Sequence, residues 1–196
     1  MIRPTIASLI IVLAASAAAE AQDHGRFGIV VAYPGSIGAE WHVSERVALR
    51  PDFAFSFNGN ESTNTISSPF AASSTSSGSG KSIGVGVSAL FYVKRWDALR
   101  FFVSPRFGFV RATATTTNDN AFLGSGPPEV RNLNSTYVTS GSVGAQYRLG
   151  QRFALFGEVG VAYSDVESST GFGGAVVETS GWSVASRAGV GAVIYF

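Results

Sequence analysis

An apolar residue stands at nearly every second position through four long stretches of the chain. Val47, Leu49, Pro51, Phe53, Phe55 and Phe57 alternate with Ala48, Arg50, Asp52, Ala54 and Ser56. The same period recurs from Ile83 to Val93, from Phe153 to Tyr163 and from Trp182 to Phe196. Period two is the pleat of a β-strand whose two faces meet different surroundings. The parity between the apolar residues is unusual. It consists largely of Gly, Ala and Ser with a few Arg, Glu and Asp, where a soluble sheet would cover its wet face with Lys and Glu. All but two of the 14 basic residues are arginine, and the lysines, Lys81 and Lys94, fall in segments that read as a loop and a turn.

Turn signals divide the chain into eight such runs, near 26–33, 37–43, 46–57, 82–93, 98–113, 135–148, 152–164 and 180–196. Their connections alternate in length. Ser44-Glu45, Lys94 to Asp97 and Leu149 to Gln151 are tight, whereas 58–81, 114–134 and 165–179 are long and rich in Ser, Thr, Asn and Gly. Pro34-Gly35-Ser36 is short where this scheme expects a long connection. Short turns at one end and long loops at the other predict an all-β, eight-stranded antiparallel up-and-down barrel that spans a membrane, with the turns on the periplasmic side. A sheet in lipid has no water to satisfy its edges, so it must close. The low-complexity stretch 58–81 reads as flexible and exposed, and Gly171-Phe172-Gly173-Gly174 as a mobile loop tip.

The beginning of the chain fits export. Arg3 precedes the apolar run Ile6 to Ala15, and Ala19-Glu20-Ala21 offers a small-x-small cleavage site. Residues 1–21 are therefore expected to be a signal peptide and 22–196 the barrel. The apolar run is shorter than the ~20 residues that a spanning helix needs.

Alternation alone does not decide which face meets lipid, because a soluble lipocalin-type barrel alternates too. The small-residue parity suits a narrow interior. Aromatics on the apolar parity gather at strand ends, as interface girdles do. Phe27, Trp41, Phe91, Phe101, Tyr147, Phe153 and Phe196 fall at the turn border, and Tyr33, Phe55, Phe57, Phe109, Tyr137, Tyr163 and Trp182 at the other. The mid-strand charges on the inner parity balance. Glu40, Asp52 and Glu158 face Arg50, Arg106 and Arg187, and an unpaired charge in a narrow lumen would cost several kcal/mol. These six form the expected lumen charge network. Arg100 and Arg148 lie nearer the turn end, within expected reach of water, and Gly84-Val85-Gly86 is expected to leave room for arginine.

The final residues, Gly191-Ala192-Val193-Ile194-Tyr195-Phe196, resemble the C-terminal assembly signal of outer-membrane barrels, carried here by Gly191, Ile194 and Phe196. With the signal peptide and the strand pattern, the mature chain is similar to the small OmpA/OmpX-type outer-membrane β-barrel domain. That resemblance implies a place in the outer membrane, partnership with outer-membrane lipids, periplasmic chaperones and the barrel-assembly machinery, and a lumen plugged by side chains.

Chemistry-bearing motifs are sparse. There are no cysteines, hence no thiol nucleophile, thiolate metal site or disulfide. A formal charge of +1 makes no case for nucleic acid. Of the two histidines, His24 precedes the first strand, and His42 faces inward near the turn end without neighbours that suggest catalysis. The loop acids Asp119, Glu129, Asp165, Glu167 and Glu178 are scattered, with no calcium-loop spacing. No enzyme activity, cofactor or metal is expected. The expected function is a structural or interaction barrel whose surface loops meet a ligand of unknown identity. The alternatives are a small channel or carrier for hydrophobic molecules, as in the similar OmpW-type barrels, or a lipid-modifying outer-membrane enzyme.

Overall fold

The computed structural model describes residues 27–66, 72–120, 129–172 and 175–196. The expected signal peptide, 1–21, lies outside the described residues, as does His24.

Eight strands run in order around one closed antiparallel ring. They are β1 (Phe27–Tyr33), β2 (Ser36–His42), β3 (Val47–Ile66), β4 (Ala72–Trp96), β5 (Leu99–Asn120), β6 (Glu129–Arg148), β7 (Phe153–Phe172) and β8 (Ala175–Tyr195). Closure falls between β1 and β8, from Gly28 opposite Tyr195 to Tyr33 opposite Val190. The Phe196 amide adds a bond to the Phe27 carbonyl at 3.0 Å. Every neighbour in the ring is next in sequence, which is the up-and-down topology that the alternating connections predict.

The long connections are largely strand. Register continues past the apolar stretch from Phe57 opposite Lys81 to Ile66 opposite Ala72, so most of 58–81 extends the β3–β4 hairpin instead of forming a flexible loop. The stretch 114–134 likewise extends β5 and β6, with Thr117 opposite Glu129. In 165–179, Asp165 pairs with Trp182 and Phe172 with Ala175, so strand runs up to the tip of the β7–β8 hairpin: Gly171 and Phe172 are the last residues of β7, and Gly173-Gly174 lie outside the described residues. Backbone pairing carries these extensions, whose sequences lack a consistent apolar face: Ser, Thr, Asn and Gly dominate, with Leu133, Val176 and Val177 scattered among them. Lys81 and Lys94 are accordingly strand residues.

Two strands are much shorter than the rest. β1 and β2 have 7 residues each, against 20 to 25 in the others. Their connection is the two-residue turn Pro34-Gly35, with Gly35 at φ +44°, a left-handed conformation that glycine adopts without strain. The wall is therefore low at this hairpin. β2 reaches β3 only as far as Ser36 opposite Ala54.

Prolines interrupt the ladder twice. β2 and β3 skip the positions around Pro51, between the Gly38–Asp52 and Trp41–Leu49 pairs. β4 and β5 skip those around Pro105, between Ser88–Arg106 and Phe91–Val103. A proline has no N–H to donate, so one side of its strand loses pairing there. A bulge between Tyr92 and Lys94 then shifts the end of β4, where Trp96 meets Phe101 edge to face at 5.7 Å.

Candidate functional site: the lumen

The two faces of the sheet are reversed relative to a water-soluble barrel. Ile29, Val31, Phe53, Val85, Val87, Val143, Val159, Val161 and Val190 point outward and are exposed. The residues between them are buried or half-buried, and the most enclosed charge is Glu40, at 0% exposure. Six of the seven aromatics expected at the turn border are exposed there, and Phe101 is half-buried against Trp96. At the far border Tyr33, Phe55, Phe57, Tyr137, Tyr163 and Trp182 are exposed, while half-buried Phe109 lies 5.1 Å from Tyr137. A closed sheet with an outward apolar belt and inward ion pairs satisfies its backbone without water and its charges without lipid. The fold and this orientation define a membrane-spanning β-barrel of the outer-membrane class.

Large side chains gather in the turn end of the lumen. Leu90, Tyr92, Phe102, Ala154, Phe156, Val193 and Tyr195 form one buried cluster. Large inward rings are accommodated by glycines directly opposite them on the neighbouring strand, Gly144 beside Phe102 and Gly191 beside Phe156. A Cβ on Gly144 would collide with the Phe102 ring, and one on Gly191 would lie 2.5 Å from the Phe156 ring. Gly191, read from sequence as part of an assembly signal, thus also has a packing role. Ile194 faces outward between Ile29 and Phe153, and Phe196 is exposed at the turn-end border.

Glu40 is the hub of the polar interior. Its Oε2 accepts from Arg50 Nη2 at 2.8 Å and Nε at 3.2 Å, a two-pronged contact that the planar guanidinium allows. Its Oε1 accepts from Tyr195 at 2.5 Å and from Gln146 at 3.1 Å, with Tyr92 at 3.4 Å and His42 Nε2 at 3.2 Å. A carboxylate removed from water keeps its charge only when such partners replace the water. His42 stacks on Tyr92 at 5.6 Å and lies 3.4 Å from the Tyr195 hydroxyl.

Arg50 carries the network onward. It lies 3.7 Å from Glu158, and its guanidinium sits over the Phe156 ring at 4.0 Å. Glu158 in turn accepts from Arg187 at 2.6 Å, while the other arm of Arg187 donates to Ser140 at 3.1 Å. Arg106 pairs with Asp52. A Cβ on Gly86 would lie 2.9 Å from the Arg106 guanidinium carbon, so this glycine provides the space for the arginine. The six expected network residues are therefore brought together as one chain, Glu40–Arg50–Glu158–Arg187, and one separate pair, Asp52–Arg106.

Arg100 departs from expectation. It is 7% exposed and lies 5.6 Å over the Tyr92 ring, enclosed where water had been expected. Four partners of Glu40 are absent from the sequence-derived network: Tyr92, Gln146, Tyr195 and His42. Tyr92, Gln146 and Tyr195 share the inward parity with the charges, and that parity was the available signal. Their hydroxyl and amide groups carry no charge to balance, so a search for compensating charges passed over them.

No protein-family model and no curated protein matches this chain. Solved structures similar to it include CarO of Acinetobacter baumannii, at 14% identity and TM-score 0.42 over 90% of this chain and 100% of that one. CarO2 of the same organism has 11% identity and TM-score 0.42, over 88% and 98%. The ferric yersiniabactin uptake receptor FyuA from Yersinia pestis has 11% identity and TM-score 0.36, over 80% of this chain and 24% of its own. At these distances no residue role passes from them to this chain.

Proposed function

We propose that the protein is an exported structural or interaction barrel of the outer membrane, of the small OmpA/OmpX type, with a closed lumen and no enzyme activity. The observation that carries this reading is the placement of Arg50. It is held between Glu40 and Glu158, lies over Phe156, and has Phe102 5.7 Å from its guanidinium. Ion pairs and rings at one level support a lumen closed to a hydrated column along the barrel axis. The extended polar hairpins β3–β4, β5–β6 and β7–β8 would present the surface that meets a ligand. Cleavage after Ala21, delivery by periplasmic chaperones and insertion by the barrel-assembly machinery through Gly191, Ile194 and Phe196 belong to the same reading.

Recording across planar bilayers with purified protein tests it. The expected result is no steady conductance, and a large, stable open level would overturn it. A carrier for hydrophobic molecules is the competing reading, and the filled turn end argues against passage along the axis. A lipid-modifying enzyme would need an activated nucleophile or base near the outer leaflet. The inward histidine, His42, lies at the opposite end, bonded into the Glu40 hub.

A further inference from the structure

The turn end of the lumen is filled, but the other half is not. A cavity of about 440 Å³ lies over the ion pairs, within the size range of small-molecule sites. Its walls include Val30, Ala32, Ala54 and Val138, and Arg106 and Arg187 face it from below. Tyr33 and Pro34 line it where the short β1–β2 hairpin leaves the wall low.

The two arginines are not equivalent. Arg187 commits both terminal nitrogens, one to Glu158 and one to Ser140. Arg106 gives one nitrogen to Asp52, and its buried Nε has no acceptor among the described residues. A guanidinium has five N–H donors, and an orphaned buried donor is costly. Asp52 and Glu158 each already hold an arginine, so attraction for a further acceptor rests on the spare donors of Arg106, not on net charge. A charged acceptor with two oxygens matches the guanidinium fork better than a neutral one. Ala32, Ala54, Val138 and Ala162 offer apolar surface to the rest of such a molecule, with Ser36 and Ser186 also on the wall.

We propose that the outer half of the lumen binds a small amphipathic carboxylate, with its head group on Arg106 and its apolar body against Ala32, Ala54 and Val138. This binding needs no passage through the barrel and is independent of whether the protein conducts.

Titration calorimetry on the full chain in lipid nanodiscs, with empty nanodiscs subtracted, tests the site. The probes are 4-phenylbutyrate and the neutral 4-phenylbutanamide. Saturable one-to-one binding of the carboxylate is expected, at least about tenfold tighter than the amide, the worth of a charge-assisted hydrogen bond. Arg106→Gln should weaken carboxylate binding by a similar factor. The combined Arg106→Gln, Asp52→Asn variant, which removes both charges and leaves no carboxylate unpaired, should do the same if the single variant does not fold. Equal binding of acid and amide would mean apolar enclosure only and overturn the proposal. So would unchanged affinity in either variant, or heat no greater than that of empty nanodiscs.

Discussion

Tyr195, the last residue of β8, donates its phenolic hydrogen to Glu40 of β2 at 2.5 Å, joining positions 155 residues apart. β1 alone separates their two strands in the ring, so this contact bridges the closure from inside. Gln146 on β6 donates to the same tyrosine oxygen at 2.7 Å and to Glu40 at 3.1 Å. The end of the chain is thereby tied to the charge network as well as to the β1 ladder.

Truncating Glu40 should be the most damaging single change in the lumen. Glu40→Ala strands Arg50 and removes the acceptor of Tyr195, and breaking a buried pair from one side costs about 3–5 kcal/mol. Urea unfolding in detergent micelles, followed by the mobility difference of boiled and unboiled samples, would measure it. An unfolding midpoint equal to that of the unaltered protein would show that the hub contributes nothing.

Tyr195→Phe keeps the ring and deletes one hydroxyl. The loss should be about 1–3 kcal/mol, since Glu40 and Gln146 are both left a partner short inside the barrel. The same change at Tyr147, which is exposed on the lipid face, should have little effect in the same assay.

Opening the lumen should require removal of the stacked layer. Arg50→Ala combined with Phe156→Ala takes away the guanidinium and the ring beneath it. Stepwise current in planar bilayers is expected from this variant and not from the unaltered chain. Silence from both would place the constriction elsewhere.

Orientation is tested from outside. Val159 points outward between Phe153 and Tyr163 on β7, so Val159→Arg should cost about 2–4 kcal/mol as a charge set in mid-bilayer. Phe57→Arg, at the outer border, should cost about 0–1 kcal/mol beyond the lost aromatic ring. Folding yields into lipid vesicles compare the two. Equal tolerance at both positions would contradict an outward apolar belt.

Removing Phe196 should lower the amount of assembled, heat-modifiable barrel in cells, because the residue belongs to the resembled assembly signal and bonds to Phe27. Gly191→Val should also lower the purified barrel's stability, by driving a side chain against the Phe156 ring and the Val31 carbonyl. Normal assembly of the Phe196 deletion would confine the role of the terminus to packing.

The sequence by itself determined the strand count, the direction of each turn and the face of nearly every residue between Val47 and Phe57, Phe153 and Tyr163, and Trp182 and Phe196. Period two is local and requires no knowledge of neighbours, and a membrane barrel enforces it strongly because its two faces meet lipid and a narrow lumen. It failed where that contrast ends. Beyond Phe57, Thr113 and Ser164 the apolar alternation gives way to Ser, Thr, Asn and Gly with scattered apolar residues such as Leu133 and Val177, so strand continued by backbone pairing looked like loop. Only the tertiary structure decided which arginine met which carboxylate, because partners such as Asp52 and Arg106 lie 54 residues apart and meet through the tilt and stagger of closure. It also decided that Tyr92, Gln146 and Tyr195 complete the shell of Glu40, and that a short first hairpin leaves a cavity above them. Each depends on the distance across the ring, which a pattern along one strand does not encode.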